Sequence, residues 1–225
     1  MGTTRLQVYN GALSICKERP LNALTDANKS RRDLDQVWND SGVRYCLEQG
    51  QWQFAIRTMR FDADADVDTE FGYTYAFEKP TDWVLTSAVC SDERFKVPIH
   101  NYADATDYWR ADVTPIFVQY VSDDDAFGGD LARWPQTFSE FVQAYFASKI
   151  CLGMTGSRDL FMAIMGPKGD GEGGIYGQRK LIAKNRAFMS QPQRQPAQGS
   201  WSRARSGRQG RGPMGDGGTG GALTG

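Results

Sequence analysis

Carboxylates stand at every second position in DADADVDTEFG, where Asp62, Asp64, Asp66 and Asp68 follow the spacing by which calcium loops collect oxygen ligands. That chemistry needs a glycine at the sixth position for the sharp turn and a bidentate glutamate at the twelfth, and those places hold Val67 and Tyr73. The stretch reads as an exposed acidic loop between strands. A second acidic run, SDDDAFGGD, carries Asp123, Asp124, Asp125 and Asp130 and has the composition of a turn. GDGEGG resembles a phosphate-cradling loop, yet no strand precedes it, the GK[ST] ending is missing, and no acid follows at the distance a dinucleotide site requires. It reads as a flexible insertion. His100 is the single histidine, so neither a Cys/His nor a Ser/His/Asp arrangement can be assembled around a second one. No enzyme, no metal and no cofactor is expected.

The four cysteines, Cys16, Cys46, Cys90 and Cys151, never form a CxxC pair, and three of them fall inside apolar patterns. They are expected as reduced, small hydrophobes. With 40% hydrophobic and 12% aromatic residues, the 225-residue chain can bury a core. No apolar run approaches the ~20 residues that span a bilayer, and the start lacks the order of a signal peptide, so a soluble protein made in the cytoplasm, with no membrane partner, is expected.

Elements must position these residues. Leu6, Tyr9, Leu13 and Cys16 recur at steps of three and four and predict a helix from Thr4 to about Lys17, which Pro20 ends. Ser30 before RRD predicts the start of a second helix, with Leu34, Trp38, Ser41 and Tyr45 on one face as far as Gly50. From Gln51 the period shortens to 2: Trp52, Phe54 and Ile56 alternate with polar or small residues, and YTYAF and IFVQYVS behave likewise. Trp134-Pro135 opens a third helix that is apolar round most of its girth, from Phe138 to Leu152. SRDLFMAIM begins a fourth, which breaks at the glycines from Gly166 to Gly177 and resumes in QRKLIAKNRAFM, where Leu181, Ile182, Asn185 and Phe188 mark a face. The expected fold class is α+β: a four-helix bundle from residues 1–50 and 134–189, an inserted β-rich domain at 51–133, and an extended Gly/Arg-rich tail at 190–225.

That tail holds five arginines against one acid and carries a formal +4, leaving −5 on residues 1–189. Arginines spaced by Gly and Ser, with Trp201 beside them, suit two uses. One is a nucleic-acid-binding arm that contacts phosphates. The other is an arm that becomes ordered by lying in a groove of another protein.

Five stretches, in order, carry a resemblance: LQVYNGALSICKERPLNALTD, RRDLDQVWNDSGVRYCLEQGQWQFAIRT, YAFEKPTDW, YVSDD, and WPQTFSEFVQAYFASKI followed by TGSRDL. Together they resemble the tail tubular protein A family, the head-to-tail connectors, or adaptors, of short-tailed bacteriophages. The similarity runs from about Leu6 to Phe188, broken by the Gly166 to Gly177 insertion, which is not associated with the family. Tyr9, Asn10, Ala12, Leu13, Trp52, Phe54, Tyr75, Pro80, Trp83, Trp134, Pro135 and Phe138 carry the match and are expected as core and cap residues.

The resemblance implies a structural protein of the virion neck and tail: a homo-oligomeric, dodecameric ring beneath the portal protein. Its β-rich domain would face a tail nozzle of the tail tubular protein B-like kind, and double-stranded DNA would cross the lumen during ejection without sequence-specific binding. Trp201, Arg203, Arg205, Arg208 and Arg211 are the expected portal-binding residues, and Asp62, Asp64, Asp66, Asp123, Asp124 and Asp125 the expected nozzle-facing loops. The alternative is a nucleic-acid-binding protein that uses the RG-rich arm.

Overall fold

A reciprocal cap sets the first helix, α1 (Arg5–Ile15): the Gln7 amide donates to Thr4 Oγ1 at 3.3 Å, and Thr4 N–H donates to Gln7 Oε1 at 2.8 Å. The computed structural model describes residues 2–67, 69 and 72–189, and these form an α+β fold with six α-helices and two three-stranded antiparallel sheets.

The second helix departs from expectation at both ends. Asn28, not Ser30, caps α2 (Lys29–Asn39), accepting the Arg31 N–H at 3.0 Å. The helix does not continue to Gly50. It stops at Asp40, Ser41 turns left-handed with φ +62°, and α3 (Gly42–Glu48) starts afresh. The break turns the chain inward, so that Gly42 lies against the Val37 carbonyl, where a Cβ would come within 2.5 Å, and Cys46 and Leu47 enter the core.

Trp52 and Phe54 do not begin a strand. They flank and join a 3-10 turn, Gln53–Ala55, and β1 (Ile56–Phe61) starts after it. Both rings belong with the helices: each lies 4.8 Å from the Phe138 ring. Beyond them come β2 (Tyr75–Glu78), β3 (Trp83–Cys90), β4 (Tyr102–Asp104), β5 (Tyr108–Ala111) and β6 (Ile116–Ser122). One sheet is ordered β1-β6-β3 and the other β2-β5-β4. Strand β6 serves both cores, sending Ile116, Val118 and Tyr120 to a cluster with Phe77, Val89 and Trp109, and Val121 to the helical cluster.

Pro135 stands at the N-cap of α4 (Gln136–Thr155), the helix on which α1, α2, α3, α5 and α6 all pack. Phe138, Phe141, Val142, Tyr145, Phe146 and Ile150 are buried round its girth, as its sequence predicts, while Leu152 is exposed. Residues 158–189 make two helices, α5 (Arg158–Met165) and α6 (Ile175–Met189). The glycine run between them is a compact return rather than a loose insertion: Gly169 N–H donates to the Gly166 carbonyl and Gly171 N–H to the Met165 carbonyl. Helix α6 buries Tyr176 and Ala183, so the face marked by Leu181, Ile182 and Phe188 points to solvent.

Candidate functional site

The register of β1 with β6 separates the two acidic loops. Phe61 pairs with Ile116 and Ile56 with Val121, so Asp62 to Asp66 leave one end of the ladder and Asp123 to Asp125 the other. At the first end Asp62 pairs with Arg60 at 2.7 Å, and Asp64 Oδ1 accepts the Asp66 N–H at 3.0 Å. At the second end Arg44 of α3 donates to Asp123 at 2.5 Å, and Asp124 Oδ1 accepts the Ala126 N–H at 2.8 Å. Asp62, Asp64, Asp123 and Asp124 are thus held by their own strands and loops and by one helix, and the structure does not bring the two sets together. Among the described residues no group of three or more His, Cys, Asp or Glu side chains could hold a metal ion. His100 is exposed ahead of β4. Trp201, Arg203, Arg205, Arg208 and Arg211 lie outside the described residues.

The sequence carries no sign of the most connected polar group. Asp82, in the KPTDW turn, accepts from Arg57 of β1 at 2.8 Å and from Ser122 of β6 at 2.5 Å, with the Tyr120 hydroxyl 3.4 Å away. Its side chain is only 13% exposed. Burial pushes the carboxyl up, but the Ser122 hydroxyl and the Arg57 guanidinium outweigh it and hold the group below the usual carboxylate range. Arg57 also lies over the Phe127 ring at 5.4 Å. A second latch joins the sheets: the Lys79 ammonium, buried, donates to Asp104 and the Ala105 carbonyl and sits 3.5 Å from the Trp83 ring centre. The indoles of Trp83 and Trp109 both donate to Thr86 Oγ1, at 3.0 and 2.9 Å. These groups fix geometry, and Asp82, Lys79 and Trp109 each tie one element to another.

An open cleft of about 680 Å³ lies where α3, α4 and α6 meet the glycine return, lined by Tyr45, Tyr145, Tyr176, Lys149, Lys180 and Lys184. The Tyr45 and Tyr145 rings stack at 4.6 Å. Lys180 donates to Gln49 at 2.7 Å, and burial, then the nearby Lys184 charge, lowers its pKa. Asp170 and Glu172 also reach the cleft, so its charge is mixed. Burial pushes the Tyr145 phenol up to about 12 and raises the Tyr176 phenol and the Cys46 thiol, which keeps all three protonated at neutral pH. The same holds for the Cys16 thiol beside Cys151. All four cysteines are buried and none is in a disulfide.

Charge is distributed by segment more sharply than a uniformly acidic body implies. Residues 51–133 carry a formal −9, whereas 1–50 and 134–189 together carry +4. Among the described residues no helix is long and apolar enough to cross a membrane. A scan against protein-family models and a search of the curated proteins found no match for this chain.

Proposed function

We propose that this chain is a structural head-to-tail adaptor of a short-tailed phage neck, assembling as a dodecameric ring between the portal protein and a tail nozzle and carrying the DNA channel onward without chemistry. The observation that supports this reading is that most of the motif residues behind the family resemblance pack inward. Tyr9, Ala12, Leu13, Trp52, Trp134 and Phe138 are buried in the helical cluster with Phe54 against it, while Tyr75 and Trp83 pack against the cluster of the sheets.

In the same reading the six helices are a four-helix bundle with two of its members interrupted, one at Ser41 and one at the glycine return. Residues 51–133 are then the inserted β-rich domain facing the nozzle, and 190–225 the extended tail that grips the portal. An acidic segment suits a wall past which DNA must slide, because a basic lining would exchange counterions with the phosphates and hold them. A ring is built from heterologous contacts, one surface of each subunit meeting a different surface of the next.

Electron microscopy of the chain mixed with its portal protein tests the proposal by reading symmetry and tail placement together. A ring coaxial with the portal is the expected result, and no binding to portal rings overturns it. The second reading, a nucleic-acid-binding protein, rests on the +4 tail; it predicts tight duplex DNA binding by the full chain with a steep salt dependence.

A further inference from the structure

Helix α6 packs one side into the core and carries exposed apolar side chains on the other. Tyr176 and Ala183 face α4, while Leu181, Ile182, Phe188 and Met189 are 59, 55, 74 and 81% exposed. At about 100° per residue those four side chains fall within about a third of the helix circumference, opposite the buried side, with the exposed Gln178 and Asn185 between them. Patches of this kind are of the few-hundred-Å² order that marks interaction sites on soluble chains. The stripe is edged with charge of one sign: Arg179, Lys180, Lys184 and Arg186 are the only ionisable side chains of α6 apart from Tyr176, and none is acidic.

What covers the stripe must bring apolar surface and partners for two amides to its centre, and acidic groups to its rim. The chain's own continuation does not qualify. Residues 190–225 carry +4, the same sign as the helix, and offer Trp201, Met214 and Leu223 as their only large apolar side chains. Nucleic acid matches the charge but gives no apolar surface to dehydrate four side chains. A second copy of this chain matches both requirements, since residues 1–174 carry a formal −9 and expose Leu24, Val97, Val113 and Leu152.

We infer that the outer face of α6, centred on Ile182 and Phe188, is a subunit contact that docks onto the acidic remainder of a second copy of this chain. This rests on the ring assembly proposed above and names a surface for it. Heterologous geometry follows, because a +4 helix does not pair with itself. Association weakens as salt rises, through screening of the basic rim.

The test places a photoreactive phenylalanine analogue at Ile182 of the full chain, irradiates it from micromolar to submillimolar concentration, and maps the products. The expected product joins Ile182 to residues 1–174 of another copy. Phe188→Asp should raise the self-dissociation constant measured by sedimentation at least about tenfold. Because Phe188 is 74% exposed, the thermal unfolding of that variant should match that of the parent chain, which separates lost contact from lost fold. Crosslinks only within one chain, crosslinks only to added DNA, or a Phe188→Asp variant that associates like the parent each overturn the inference. Portal binding is read separately: portal rings that still recruit Phe188→Asp in full copy number remove this surface and leave the adaptor standing, whereas self-association with no portal binding does the reverse.

Discussion

At the scale of single residues, the groups with the most partners hold strands and turns in place, and Asp82 is the clearest case. Its carboxylate satisfies Arg57 and Ser122 at once, so Asp82→Asn leaves a guanidinium facing a neutral amide in a largely buried place. The expected loss is about 2–3 kcal/mol of stability, or roughly 5–10 °C in Tm, read by thermal unfolding. The same group fixes an acid limb. Its folded pKa lies below the ordinary value, so its contribution is complete at neutral pH and fades as pH falls through the ordinary carboxylate range towards the lower folded value. Stability measured from pH 7 downward should therefore fall less steeply below about pH 4 in Asp82→Asn than in the parent; parallel slopes would assign the acid limb to other carboxylates. Nothing in KPTDW announces this, because the partners are brought by β1 and β6 from 25 and 40 residues away.

At the scale of elements, what can be read in the sequence depends on whether one periodicity serves one core. Helix α4 is legible because its apolar residues surround it and every neighbouring helix packs on it. Trp52 and Phe54 mislead because an alternation this short does not fix a period: a 3-10 turn repeats every three residues, and their rings are claimed by Phe138 instead of a sheet. The stretch Leu34, Trp38, Ser41, Tyr45 keeps helical spacing across a real break, since the left-handed Ser41 re-aims the chain without disturbing the count. The face on α6 is the converse: its period is helical, but Leu181, Ile182 and Phe188 stay exposed. The glycines offer a direct test. Gly166 has φ +94° and ψ 166°, and a Cβ there would fall 2.0 Å from the Glu172 carbonyl oxygen, so Gly166→Ala should cost about 2–4 kcal/mol. Gly153 lies in α4, where an added Cβ would meet nothing within 4 Å, and Gly153→Ala should instead stabilise by about 0.5–1 kcal/mol. Denaturant midpoints moving in the same direction for both would contradict the glycine return as described.

At the scale of the whole molecule, the proposed function assigns attachment to the tail, whereas the described core holds the buried clusters. Among the described residues, the buried members of both hydrophobic clusters lie between Val8 and Ala183, and β6 joins the two. Removing 190–225 takes away a formal +4 and none of the described members of these clusters. Truncation after Met189 should abolish attachment to portal rings under the proposed function, and an unfolding midpoint close to that of the full chain separates lost attachment from lost fold. The two readings of the tail then divide on salt. A portal grip made by arginines against carboxylates and carbonyls is short-ranged and specific to the portal surface. An arm that neutralises phosphates would give the full chain a DNA affinity falling steeply with salt concentration, absent from the truncated chain. Portal attachment that survives truncation, together with DNA binding that does not, would move the function of this chain from the neck of a virion to the nucleic acid itself.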